Sequence, residues 1–316
     1  SIMVQAITRA SQRSSRGFPG MMTWPSPRAS RGRLVLLLVA FALLATWDWC
    51  FSLALKKTKT VSKSCQAAQL GPNPSPRDLR QLDRQLPQYM LEAFDGDARK
   101  AMQRWVETLK WRCEVDDEGI FDRPNPDFFT IQRSYQTYLH LPDRQGRLTY
   151  WVRSGALDPE RLANDGMTPQ KVRDDYIWQT LFTWDVWLKR DDTKTLTIIC
   201  DMAGFSMAKL TPTVMRIFSS SYGAVQTHMP SREELVVVVN APSWWNTIWA
   251  IFRPFLPKKQ QERLRVAVGY EESVKTLSEL IDPKNIPKEY GGSGIDLGKA
   301  PAEIKRQKFA AEGAKR

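Results

Sequence analysis

Residues 236–261 read VVVVNAPSWWNTIWAIFRPFLPKKQQ. The four valines make a β-branched run suited to a buried strand, and Asn240-Ala241-Pro242 ends it. The next residues are harder to leave in water: Trp244, Trp245, Ile248, Trp249, Ile251, Phe252, Phe255 and Leu256 come in quick succession. A Trp or Phe buries roughly 150–250 Å², and at about 25 cal/mol per Å² its exposure forfeits several kcal/mol. This surface needs a core, a ligand or a bilayer to face, and it ends in a basic turn at Lys258-Lys259.

Outward from this stretch, similar runs recur. RLTYWVR (147–153), TLTIICD (195–201) and LVVVVN (235–240) read as strands, VAVGY (266–270) as a further one, and PDRQGR (142–147) as the turn feeding the first. Between them lie helical patterns. Thr168-Pro169 opens one through Val172, Tyr176, Leu181 and Trp184, and Thr211-Pro212 opens another through Val214, Ile217 and Phe218. EESVKTLSELI (271–281) is amphipathic at helical spacing. Strands separated by helix-length segments require crossovers, so the fold class is α/β with a largely parallel sheet.

Upstream, Asp78 is placed to cap a helix through Leu79, Leu82 and Leu86. Asp97 is placed to cap one in which Ala98, Met102, Trp105, Leu109 and Cys113 recur. A small helical module over 78–126 therefore precedes the sheet.

The chain has 316 residues and a formal charge of +12. Residues 1–63 carry ten Lys/Arg against the single acid Asp48, and 299–316 carry six against two, so the body between them is close to neutral. A basic excess confined to the ends suits anionic lipid or solvated tails and gives no support to a nucleic-acid-binding body. LVLLLVAFALLATWDWCFSLAL (34–55) has one charge and is long enough to span a bilayer as a helix. Basic residues flank it on both sides, so it reads as a retained transmembrane anchor or as a cleaved signal or organelle-targeting segment. Residues 1–33 read as a disordered basic arm, 56–77 as a linker and 293–316 as a basic tail. Cys50, Cys65, Cys113 and Cys200 are scattered without CxxC spacing, which is neither a disulfide framework nor a zinc pattern and places the body in a reducing compartment.

Catalytic signals are sparse. There are two histidines, His140 and His228, and no GxSxG, GxGxxG or GxxxxGK[ST] stands where a hydrolase, dinucleotide or P-loop site needs it. Asp201 ends a hydrophobic strand, where an acid more often caps a turn than catalyses. No enzyme, metal or cofactor is expected.

The order of segments carries a resemblance. LKWR (109–112), GRLTYWV, IICDMAGFS (198–206), LVVVVNAPSWWNTIWAIFRPFL (235–256) and IDPKNIPKEYGG (281–292) together resemble the CRAL-TRIO family over about 90–292, with the lipid-binding domain itself placed over 127–292. The resemblance implies a sheet flooring an apolar pocket closed by a mobile gate. The pocket and gate would include Tyr150, Leu196, Ile198, Val237, Val239, Trp249, Phe252, Phe255 and Leu256, with Tyr150 packing in the core or donating to a head group. Phosphoinositide-transferring members place Tyr-Pro-Glu-Arg before the floor strand; here Met229-Pro230-Ser231-Arg232 stands there, keeping only the arginine. The matching gate positions are Gln260 and Arg263, so Arg232, Arg263, Gln260 and Ser231 are the candidate head-group residues. Leu196 and Ile198 stand where those proteins use hydroxyls for phosphocholine.

The function this implies is non-enzymatic binding and transfer or presentation of one amphiphilic lipid, a phospholipid, with phosphoinositides among the candidates. The alternatives are a neutral isoprenoid ligand of tocopherol type, or a membrane-tethered protein-interaction module. The expected partners are a hydrophobic ligand and a membrane surface, with the lipid-binding domain facing the cytosol. Gly291-Gly292 is expected to close the domain in a tight turn.

Overall fold

The computed structural model describes residues 86–314 apart from Glu118, Asp192, Leu210, Ser231 and 247–257. The arm, the apolar segment and the linker expected over 1–77 lie outside the described residues, as do Trp249, Phe252, Phe255 and Leu256. Among the described residues no helix is long and apolar enough to cross a membrane.

The first described helices are α1 (Gln88–Ala93) and α2 (Ala98–Glu114); α1 begins after Pro87, where the helix expected from Asp78 was to end, and Asp78, Leu79 and Leu82 lie outside the described residues. Asp97 caps α2 as its position suggests, accepting from Lys100 N at 3.1 Å. Tyr89, Met90, Ala101, Trp105 and Leu109 bury a small core between the two helices. Cys113 in that core is disulfide-bonded, and Cys200 is the free cysteine among the described residues. The reading of the cysteines as lying in a reducing compartment is corrected to that extent.

After α3 (Pro126–Gln132) the sheet begins. Its strands are β1 (Thr137–His140), β2 (Leu148–Val152), β3 (Leu196–Asp201), β4 (Glu233–Ala241) and β5 (Leu264–Val268), in the spatial order β1-β2-β3-β4-β5. β1 pairs antiparallel with β2, and every later pairing is parallel. The last strand lies slightly earlier than VAVGY suggests, because Gly269 already opens the next helix.

The crossovers are helical, as parallel pairing requires. Between β2 and β3 run α4 (Pro159–Asn164) and α5 (Pro169–Leu181), which continues as a π-helical turn over Phe182–Trp187. α6 (Pro212–His228) joins β3 to β4, and α7 (Lys258–Arg263) leads into β5. Thr168 and Thr211 cap α5 and α6, and a proline occupies the first turn of each. α8 (Gly269–Leu280) comes after β5.

Helices cover both faces, so the valine-rich strands lack a polar side. On one face Leu139, Leu148 and Leu196 pack against Ile177, Trp178 and Leu181 of α5 and Val225 of α6. On the other, Trp151, Ile199, Val237 and Val239 pack against Leu277 of α8 and against Ile281, Ile286 and Tyr290. Gly291 turns left-handed at φ 81° after Tyr290, and a Cβ on Gly292 would collide with the Ile286 carbonyl. The double glycine thus meets a backbone requirement.

The segment 293–316 departs from its reading as a tail. Pro301–Glu312 forms a helix, α9, lying against β1 and α3. Glu303 and Arg306 are 1% and 0% exposed. Their polarity hides the amphipathic pattern, because the side chains that bury the helix are a charged pair.

Candidate ligand-binding face and head-group site

Parallel register arranges the residues of each face in rows. Tyr150, Ile198, Val236 and Leu264 form one row, and Val152, Cys200, Val238 and Val266 the next. Tyr150, Ile198, Cys200, Val236 and Val266 on this face are half-buried. Leu196 stands on the same face, buried against the α5 side of the core. The structure therefore brings Tyr150, Leu196 and Ile198 together.

Val237 and Val239 are not with them. Both are 0% exposed and point to the opposite face, beneath α8. Period-two alternation puts Val236 and Val238 on the Tyr150–Ile198 face instead. A run of four valines between two covered faces gave no sign of its phase.

Tyr150 places its hydroxyl 3.4 Å from Gln179 Oε1, so its proton is turned into the protein. Burial pushes its pKa above the usual phenol value. Around it lies a buried polar network. Thr137 Oγ1 and Arg306 Nη1 donate to Gln179 Oε1 at 2.9 and 2.7 Å, and Gln179 Nε2 donates to Asp175 Oδ2 at 2.6 Å. Asn125 Nδ2 donates to Asp175 Oδ1 at 2.9 Å. Burial nevertheless pushes the Asp175 carboxyl up to about 6. Nothing in the local sequence marks Gln179, Asp175 or Arg306, which only the tertiary fold brings together.

The candidate head-group residues separate. Arg232 is 4% exposed, with its guanidinium carbon 3.8 Å from the Trp184 ring centroid and 4.6 Å from that of Tyr89. It also donates to the Asp191 carbonyl at 3.0 Å. It is an aromatic-sandwiched arginine joining α1 to the π-helical turn. Arg263 stands elsewhere, lining a cavity of about 420 Å³ together with Arg147, Arg265, Glu234, Glu262 and Leu280. Glu234 accepts from Arg263 Nη2 at 3.2 Å, and Asp143 accepts from Arg147 Nε at 2.7 Å. Arg265 donates to the backbone carbonyls of Glu262 and Leu264. Gln260 lies on α7 three residues before Arg263, and Ser231 is outside the described residues.

Asp201 is held by several donors. Its Oδ1 accepts from Asn240 Nδ2 at 2.8 Å and Ala203 N at 2.9 Å, and its Oδ2 accepts from the Tyr290 hydroxyl at 2.8 Å. The IICD, NAP and KEYGG segments converge there, and Asn240 takes φ 51° to reach it. His228 stacks on Trp111 with centroids 4.4 Å apart, and burial lowers its pKa to about 3. Burial likewise lowers that of His140 to about 4. Among the described residues no group of His, Cys, Asp and Glu could hold a metal ion.

This arrangement has counterparts in known proteins. Residues 132–292 match the model of the CRAL/TRIO domain. The chain belongs to the CRAL/TRIO domain family. It is 26% identical over 210 residues to the phosphatidylinositol/phosphatidylcholine transfer protein SFH9 of Arabidopsis thaliana, covering 64% of this chain and 36% of that protein. It is 25% identical over 211 residues to the SEC14 cytosolic factor of Kluyveromyces lactis, covering 63% of this chain and 66% of that one. The chain thus spans less than two thirds of the length of these relatives. The crystal structure of Sfh5 superposes with a TM-score of 0.50 at 14% identity, covering 88% of this chain and 92% of that one, and shows the same fold.

Proposed function

We propose that this protein is a non-enzymatic carrier that binds one amphiphilic lipid and transfers or presents it. The observation that carries the reading is the half-buried, predominantly aliphatic face made by Ile198, Cys200, Val236 and Val266, with Tyr150 at its margin. A chain of about 16 carbons costs on the order of 12 kcal/mol to expose, at about 0.8 per CH₂, so a carrier needs such a surface. The transfer function named for the relatives from Arabidopsis supports the same reading. Phe252 and Phe255, with Trp249 and Leu256, are proposed as the gate over that face, and a segment at 34–55 would tether the carrier to a membrane.

In the phospholipid form of this reading, Arg263 takes the phosphate, assisted by Gln260 and Ser231. The neutral-lipid form is supported by a specific observation: the Arg232 guanidinium is engaged between Trp184 and Tyr89. Native mass spectrometry of the full chain, followed by lipid extraction, tests the proposal. One stoichiometric lipid is expected, and its head group decides between the forms. A protein that stays empty and takes up no added lipid sinks the carrier reading.

A further inference from the structure

The cavity of about 420 Å³ at the edge where β4 and β5 begin has the size of a small-molecule site. It belongs to the α8 side of the sheet. Arg265 pairs in register with Val237, and Val237 and Leu235 pack beneath α8 with Leu280. Residues paired across neighbouring strands point to the same side, so the sheet separates this cavity from the row Tyr150–Ile198–Val236.

The charges around it divide into committed and free ones. Arg147 is anchored through Nε to Asp143 at 2.7 Å, and Thr197 Oγ1 holds the same carboxylate oxygen at 2.6 Å. The Nη groups of Arg147 make no bond to any described residue. Arg263 is paired with Glu234 Oε2 at 3.2 Å. Arg265 donates only to backbone carbonyls, and the Glu262 carboxylate makes no ion pair among the described residues. The set is neutral, since the guanidiniums of Arg147, Arg263 and Arg265 are matched by Asp143, Glu234 and Glu262. One uncommitted charge of each sign remains.

We propose that this cavity binds a small zwitterion, a molecule carrying an oxyanion and a protonated amine, with the oxyanion on Arg147 and Arg265 and the amine on Glu262 and Glu234. A polyanion would meet two carboxylates and a polycation three guanidiniums, and like charges in contact oppose both. Guanidinium Nη groups suit phosphate or carboxylate oxygens. The amine has to carry N–H donors, because a quaternary ammonium seeks aromatic faces and no aromatic side chain lines the cavity. Soluble phosphoethanolamine esters and the head group of ethanolamine lipids share this chemistry. The site does not depend on the carrier reading, since it lies on the other side of the sheet.

Isothermal titration of the full chain with glycerophosphoethanolamine, glycerophosphocholine and glycerol phosphate tests the proposal. The second probe removes the N–H donors and the third removes the amine. Glycerophosphoethanolamine is expected to bind at least about tenfold more tightly than either, the size of one hydrogen bond to a charged group. Glu262→Gln should erase that preference, and Arg265→Gln should weaken binding by about tenfold. Both side chains are exposed, so neither change should disturb folding, which the unfolding midpoint checks. In a second arm the chain is offered phosphatidylcholine vesicles with and without phosphatidylethanolamine. Glu262-dependent attachment to the ethanolamine vesicles alone, with the soluble probes unbound, upholds the site and makes its source a lipid head group. Glycerol phosphate binding as tightly as glycerophosphoethanolamine overturns the zwitterion assignment. Binding untouched by both substitutions, or no binding in either arm, overturns the site. Each of these results leaves the carrier reading to its own test by lipid extraction.

Discussion

Tyr290 donates its phenolic hydrogen to Asp201 Oδ2 at 2.8 Å, across 89 positions of sequence. Both residues are buried, and the acid sits at the end of β3 while the phenol belongs to the turn that closes the family match. The geometry gives the acid a cross-linking role, with its oxygens engaged by Tyr290, Asn240 and Ala203. Tyr290→Phe is therefore expected to lower the unfolding free energy by about 1.5–3 kcal/mol, the range for a hydrogen bond to a charged group. Asp201→Ala should cost more, since it strands every one of those donors. Urea denaturation of the variants measures both, and an unchanged midpoint for Tyr290→Phe would show that the bond contributes nothing.

The two arginines read from the sequence as phosphate ligands should differ in what their removal costs. Arg232 lies between Trp184 and Tyr89, and desolvated cation–π contacts are worth about 2 kcal/mol. Arg232→Ala should destabilise the fold by about that much or more, because packing of the stem is also lost. Arg263 is paired at the surface with Glu234, whose side chain is 42% exposed, so Arg263→Ala should change stability by less than about 1 kcal/mol. Thermal unfolding separates them. Comparable losses in both variants would contradict the structural assignment of Arg232.

Acid should weaken the fold through its histidines. The pKa of His228 is lowered from 6.5 to about 3 in the folded protein, where burial and then Arg104 and Arg112 oppose its charge. Between those values the unfolded chain binds a proton that the folded one refuses, so stability falls as the pH drops from about 6.5 towards 3. His140, lowered to about 4, acts in the same direction. Asp175 opposes them. Its raised value, about 6 against 3.8, contributes stability that is full below 3.8 and is lost as the pH rises through about 6. Unfolding free energies between pH 4 and 7 should show a positive slope that shallows in His228→Phe, which keeps a ring on Trp111. A slope unaffected by that substitution would refute the assignment.

The parts of the fold legible in the sequence are those where hydrophobic periodicity and capping chemistry agree. The runs at 147–153, 195–201 and 235–240 and the caps at Asp97, Thr168 and Thr211 stand where expected. β1 was not legible, because TYLH is short and its polar ends look like a loop. α9 was hidden by burying Glu303 and Arg306, residues that composition assigns to solvent. Tyr150, Leu196 and Ile198 share one face of the sheet, as alternation in those strands requires. Val237 and Val239 fall on the opposite face because only packing sets the phase of an all-valine run. Arg232 was misplaced because Tyr89 and Trp184, its partners, are distant in sequence and carry no motif.

Arg112 binds the helical module to the body through charge that is out of water. Its Nη1 reaches Asp117 and Asp185 at 2.7 Å each, and its Nη2 reaches the second oxygen of Asp185 at 3.1 Å. Removing the cation leaves the two buried carboxylates to the half-exposed Arg190, 3.1 Å from Asp185 and 3.6 Å from Asp117, so Arg112→Ala should cost about 3 kcal/mol, the low end for breaking a buried pair. Arg112→Lys should rescue only part, because an ammonium cannot match the forked contact. Limited proteolysis should cleave the 86–114 segment faster in both variants. Equal protection in wild type and Arg112→Ala would mean that the aromatic contacts of His228 and Arg232 suffice for docking.

The strongest test of α9 concerns the open edge of the sheet. Among the described residues β1 pairs only with β2, so its outer edge would present unpaired backbone groups to other chains. Glu303 Oε2 accepts from Leu139 N at 2.9 Å, and Arg306 Nη2 donates to the Thr137 carbonyl at 2.7 Å. The helix satisfies the edge with side chains in place of a strand. Arg306→Met alone should cost about 3–5 kcal/mol, because Glu303 is then buried without its cation. Arg306→Met combined with Glu303→Gln should cost less than the two single changes added together, since neither charge is then left alone. Ending the chain at Lys299 strips both groups from β1 at once and should produce species that grow with concentration in sedimentation velocity. A truncated protein whose size is independent of concentration and which keeps its unfolding midpoint would show that β1 needs no cover and that α9 is an appendage.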